Sequence, residues 1–272
     1  MVDGRVIVSF CMAAVLSHVG NAEPSAADAA RPLAMRVESE LFAGDSEPVA
    51  RSLTLFRDGV AWDFLELPEA DGSGMRLAEI ALHDPARERV VVIDPRRHVK
   101  TQVEAIRLER LSVSLATWAR GSDDRLVRWA GGPDFADGMT ETDEAIELAG
   151  PRVRYAVDYE AAPSPEAAAA YRKFADSALL LRALIHPGGI PPFPRLALNR
   201  RLEAANAIPT EVTLDVEPRL VPIGGSTGRM RCVHRVHPAI LAADVARIEE
   251  AEAEVAAAEA VDLPTFAAPA KN

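Results

Sequence analysis

From residue 50 onward, apolar and polar positions alternate with a period of two, and turn residues interrupt the pattern about every ten residues. Ala50–Phe56 and Ala61–Leu65 flank Arg57-Asp58-Gly59-Val60, where Asp-Gly is the signature of a two-residue hairpin loop. That loop pairs Arg57 with Val60, so Leu55 stands opposite Trp62 and Leu53 opposite Phe64. These four share one face, while Thr54 and Asp63 share the other. Leu77–His83 and Arg89–Ile93 form a second hairpin around Asp84-Pro85-Ala86-Arg87-Glu88, which sets Leu82 against Val91 and Ile80 against Ile93. Asp94-Pro95 repeats the turn, and His98–Val103 follows as a further strand. Turns at this spacing describe an antiparallel meander rather than alternating strands and helices.

The period then lengthens. Between Glu104 and Arg120, Leu108, Leu111, Leu115 and Trp118 fall on one helical stripe, with Arg107, Arg110 and Ser114 away from it. Val153–Tyr159 returns to alternation. Ser164-Pro165-Glu166 combines an N-cap hydroxyl, a first-turn proline and an acid at the positive end of the helix dipole. Tyr171, Phe174, Ala178 and Leu181 line that helix until His186-Pro187-Gly188 stops it, and Pro191-Pro192-Phe193-Pro194 makes a rigid corner before another helix, Arg195–Ala205. Thr210–Val216 and Arg229–Val236 read as the last strands. From Ala239 an Ala/Glu helix follows whose later turns lack an apolar stripe, which predicts a solvated or frayed element, with Leu263–Asn272 disordered. The fold class is α+β: a curved antiparallel sheet, half-barrel-like, packed on central helices, with a C-terminal helix. Its core domain spans 35–237, the C-terminal helix 238–260 and the tail 261–272.

The first residues change the picture of where the chain works. Arg5 precedes an uncharged, apolar run from Val6 to Gly20, and Gly20-Asn21-Ala22 offers small residues where a signal peptidase reads. A leader over 1–22, an Ala/Pro/Ser-rich linker over 23–34 and a periplasmic or secreted destination are the expectation; retention of the run as an anchor stays open. Cleavage would remove Cys11 and leave Cys232 alone, so no internal disulfide could form and Cys232 is expected to be buried. Of the 272 residues, 41 are acidic and 30 basic, for a net charge of −11. That balance repels phosphate backbones and anionic head groups, which argues against nucleic acid as a partner and leaves membrane contact to the leader or to transient encounters.

Motif chemistry is sparse. Gly224-Gly225-Ser226-Thr227-Gly228 matches G-x-S-x-G, but that elbow needs a strand before the serine and a helix after it, and here a strand follows. A hydrolase built on Ser226 is therefore the weakest alternative, and no catalytic residue is assigned. In Cys232-Val233-His234-Arg235-Val236-His237, a strand puts Cys232 and His234 on one face and His237 on the other, too few convergent ligands for zinc. No metal site and no cofactor are expected. The basic residues between Asp94 and Lys100 form the sharpest positive patch, fit to grip an anion or to solvate a hairpin end.

The order of these elements, the hairpin Ile80–Ile93 closing on Asp94-Pro95, and the strand opening Ile208-Pro209-Thr210-Glu211-Val212 resemble exported lipoprotein-carrier domains of the Lol-like type. Pro191-Pro192-Phe193-Pro194-Arg195-Leu196 is also similar to a stretch of an uncharacterised exported family. The carrier resemblance implies a curved sheet wrapped around helices and an apolar cavity for acyl chains. The chain departs from it in its longer central helical insertion and tail, and in its low aromatic content, 5%. The function expected is binding of an apolar ligand or lipidated partner in the concave face, lined by Leu53, Leu55, Trp62, Phe64, Ile80 and Leu82 and approached by Leu108, Leu111, Leu115 and Trp118. A core filled entirely by the helices fits the same pattern. The alternative is an envelope scaffold or interaction module that meets its partner through the C-terminal helix.

Overall fold

The computed structural model describes residues 33–44, 47–69, 71–217 and 228–268. Six strands come first: β1 (Ala34–Ala43), β2 (Ala50–Arg57), β3 (Val60–Pro68), β4 (Met75–Asp84), β5 (Arg89–Asp94) and β6 (Val99–Glu104). Helices α1 (Ala105–Arg120) and α2 (Arg125–Ala130) precede β7 (Met139–Glu141), β8 (Ala145–Gly150) and β9 (Val153–Ala161). Then come α3 (Pro165–Ile185), α4 (Phe193–Ala204), β10 (Ala207–Val216), β11 (Arg229–His237), α5 (Ala242–Ala257), β12 (Glu259–Ala260) and α6 (Leu263–Ala267). The fold is α+β, built on an open twelve-stranded sheet in the order β12-β6-β5-β4-β3-β2-β1-β11-β10-β9-β8-β7. Two antiparallel meanders, β1–β6 and β7–β11, thus meet where β1 pairs with β11. The short β12 runs parallel to β6.

Local chemistry sets the registers. Asp58 and Gly59 both take positive φ, 53° and 79°, as the tight turn requires, and Leu53–Phe64, Leu55–Trp62 and Arg57–Val60 pair across it. Leu82 pairs with Val91 and Ile80 with Ile93. Ser164 caps α3 by accepting the Ala167 N–H.

Both faces of β2–β5 are buried, and this decides the layering. Phe56, Ala61, Val90 and Val92, with Met35 and Val37 of β1 and Val103 of β6, lie under α1, α3 and α6. On the same side further along the sheet, Ile146, Leu148, Tyr155 and Val157 lie under Leu126 of α2 and Leu198 and Leu202 of α4. The opposite side of β2–β5 carries Leu55, Trp62, Phe64, Ile80, Leu82, Val91 and Ile93, and α5 covers it with Ile248 and Ala251. Elsewhere that outer side is a lattice of cross-strand ion pairs, including Arg235–Glu40, Arg231–Glu211 and Arg154–Glu147.

The C-terminal segment departs from its sequence expectation. α5 is packed rather than solvated, because Ile248 and Ala251 make a narrow stripe of one large and one small side chain that hydropathy by eye discounts. The start of α5 is tied by the Leu241 N–H, which donates to Asp244 Oδ2 at 2.7 Å. Residues 263–267 are a helix, not a disordered tail: Asp262 caps it at the Thr265 N–H, and Leu263 and Phe266 are buried against Val90, Val92 and Val103. The basic stretch after Asp94 explains how. Arg97 donates to the carbonyls of Phe266 (2.7 Å) and Thr265 (2.8 Å), Lys100 to that of Val255 (2.5 Å), and His98 Nδ1 meets Glu254 Oε1 at 3.0 Å. This positive patch is a clamp on the C-terminal chain.

Candidate functional site

The residues expected to line a ligand face are divided between the two sides of the sheet, and of them Leu108 lines a cavity, the second one described below. Leu53, Leu55, Trp62, Phe64, Ile80 and Leu82 share one side of the sheet as expected, but that side is the one closed by α5. Leu108 points to the other side and packs with Val90, Val92 and Val103. Leu111 and Leu115 are half-buried, and Trp118 is 58% exposed on the flank of α1. The physical reason is that β2–β5 are buried on both faces, with Thr54 and Asp63 bonding each other beneath the helices, so alternation alone could not say which face α1 to α4 would take.

A cleft of about 410 Å³ opens instead on the helix-covered side, at the junction of the two meanders. Its floor is four neighbouring strands in register: Leu41 of β1 pairs with Cys232 of β11, Cys232 with Val212 of β10, Met230 with Leu214, and Leu214 with Tyr155 of β9. Leu179 and Ala183 of α3, with Ile190 and Pro192 from the bend between α3 and α4, make the opposing wall. His186 ends α3 and the next three residues, Pro187, Gly188 and Gly189, are helix breakers, so the chain leaves the sheet here and cannot fill the space with a further turn.

Besides His186 at the end of α3, three polar residues line this apolar cleft. Arg182 is held by Glu79 in a two-pronged ion pair, 2.6 and 3.1 Å. Arg195, in the first turn of α4, donates to the Asn199 side-chain oxygen; Asn199 in turn donates to Asp176 at 2.7 Å, and Asp176 pairs with Arg172 at 3.3 Å. Tyr155 is only 6% exposed, and burial pushes its hydroxyl up to about 12, against the pull of the Arg195 charge, so it stays a protonated donor.

The sulfur and imidazole nearby are quiet. Cys232 is half-buried in the cleft wall rather than fully enclosed, and burial raises its thiol to about 11. His234 shares its face and His237 lies on the other, beside Glu38 at 3.9 Å. Burial drives His234 down to about 3, and its Nδ1 sits 2.8 Å from Ser39 Oγ. A neutral thiol and a weakly basic imidazole make a poor nucleophile and a poor base at neutral pH. Gly224–Thr227, with Ser226, lies outside the described residues.

A second cavity, about 750 Å³, lies between the turn ends of β2–β5 and helices α1 and α3. Its rim is charged and includes the ion pairs Asp84–Arg89 (3.7 Å) and Asp176–Arg172 (3.3 Å). The cleft residues were within reach of sequence only in part. Tyr155, Val212, Leu214 and Cys232 keep a period of two, yet nothing local says that β1 will lie beside β11 and gather them. Among the described residues no helix is long and apolar enough to cross a membrane. No protein-family model matches the chain, and no curated protein does either.

Proposed function

We propose that the chain, exported by way of its N-terminal apolar run, is a binding protein for a small apolar ligand or the acyl part of a lipidated partner, held in the cleft between β1, β9–β11 and α3. The observation that carries this reading is the cleft itself. Its wall is mostly aliphatic, its volume falls within the range of about 300–1,000 Å³ common for ligand sites, and a few polar groups converge on it. The ligand side is the one α3 and α4 cover, and the carrier-like likeness of the sequence fits the same reading.

The test is uptake of the uncharged fluorophore N-phenyl-1-naphthylamine by the full chain. Saturable binding of one molecule per chain is expected. Ala183→Trp, which fills the cleft, should weaken it by at least about tenfold, whereas Ala169→Trp, which fills the second cavity, should leave it unchanged. No uptake, or equal effects of the two substitutions, would remove the cleft as the binding site.

A further inference from the structure

We infer that the ligand of this cleft carries an acidic head group, gripped jointly by Arg195 and Tyr155; the inference deepens the apolar-ligand reading and rests on it. The Arg195 guanidinium stands half-buried in the cleft wall, and its only hydrogen-bond acceptor among the described residues is the neutral side-chain oxygen of Asn199. The carboxylate behind that amide, Asp176, feels the Arg195 charge but bonds Asn199 and Arg172, and Arg172 also pairs with Glu203. An arginine carries five N–H donors, and among the described residues no carboxylate bonds any of those of Arg195 directly. Arg182, on the same wall, is different, since Glu79 already neutralises it.

Tyr155 supplies the independent observation. It is more than nine-tenths buried on the cleft floor, and its hydroxyl has no hydrogen-bond partner among the described residues. That oxygen is not one of the enclosed polar atoms left without a partner, so it keeps access to the cleft and is free to donate to a ligand there. Arg195 and Tyr155 line the same cleft, and the Arg195 charge is felt at Tyr155. The N-terminal end of α4 opens there too, through Pro192 and Arg195, and its dipole adds to the positive end. A carboxylate satisfies this set: it accepts from the guanidinium and from the tyrosyl O–H, while Leu41, Val212 and Leu214 take an aliphatic body. A fatty-acid-like amphiphile is the ligand class.

The experiment displaces N-phenyl-1-naphthylamine from the full chain with dodecanoate or with dodecanol, which share a chain length and differ in charge. Dodecanoate should compete at least about tenfold better. Arg195→Gln should bring dodecanoate down to the level of dodecanol and leave dodecanol unchanged, Arg195→Lys should keep part of the preference, and Tyr155→Phe should cost it severalfold. Tyr155→Phe also serves if Arg195→Gln fails to fold. Dodecanoate no better than dodecanol, including the case where neither competes, overturns the acidic head group. The apolar-ligand reading then stands or falls separately, on whether the uncharged fluorophore binds and Ala183→Trp blocks it.

Discussion

The side chains that set the chemistry of this protein are polar groups caught between α3 and the sheet. His83 of β4 is 5% exposed, lies edge-on to Phe174 at 4.9 Å, and shares a hydrogen bond with Ser177 Oγ at 3.1 Å. Burial first, and the Arg182 charge second, hold its imidazole down from 6.5 to about 3. Because the folded value is depressed, the unfolded chain takes up a proton below 6.5 while the folded chain does not, so the stability His83 contributes is full above 6.5 and drains as the pH falls toward 3. Asp63 and Glu79 pull the other way: burial raises both carboxyls, so the folded chain binds their protons first and acidification just above the ordinary carboxylate range favours folding. The whole pH profile is a difference, and one substitution isolates the histidine. His83→Phe should reduce the loss of stability between pH 6.5 and about pH 5 by about 2 kcal/mol, read by denaturant titration at both pH values. Arg182→Met strands Glu79 and Asp63 together, and should cost about 2 kcal/mol at neutral pH. That is less than the ~3–5 kcal/mol for a fully buried pair, since the arginine is a third exposed.

Elements are held less by their own propensity than by what they cover. α5 is rich in alanine and glutamate, and without the sheet beneath it little would order it. Ile248, 2% exposed against Trp62, Phe64 and Ile80, is its anchor, and Ile248→Ala should lower stability by about 2–4 kcal/mol, with Trp62 fluorescence reporting the loosened face. Arg97→Met should release α6 alone, exposing Phe266 to solvent and speeding amide exchange across Leu263–Ala267 while β2–β5 keep their protection. These two elements also show where sequence stops. Both hairpins were legible to the residue pair, because Asp58-Gly59 and Asp84-Pro85 fix loop length and alternation then fixes every pair. The start of α3 was legible from Ser164-Pro165. β1, α2, β7 and β8 were not, being short or interrupted by charge, as in Glu38 and Glu40 among the apolar positions of β1. α5 was legible as a helix, but its packing, and α6 altogether, were not, because the contacts that order them, such as Arg97 to Phe266, span about 170 residues and local pattern carries no trace of them.

At the scale of the whole molecule, one seam matters. Each meander could be read as strands in sequence, but the cleft exists only because β1, first in the described chain, inserts between β2 and β11 and so joins the two. Leu41 reaches Cys232, and through β10 and β9 Tyr155, by that pairing alone, so the candidate site was the least legible feature of all: its parts come from opposite ends of the sequence. The same seam should carry the cooperativity. Val37 pairs with Thr54 on one side and Val236 on the other, and is 1% exposed. A proline there removes a ladder donor in a central strand and so weakens the strand that joins the halves. Trp62 reports on the first meander and Trp129, packed edge-on with Phe135, on the second. With Trp118 replaced, single-tryptophan chains should give coincident urea transitions in the otherwise native protein, whereas Val37→Pro should pull the Trp62 and Trp129 transitions apart. Coincident curves after that substitution would mean that the helices spanning the sheet, α3 above all, couple the halves by themselves.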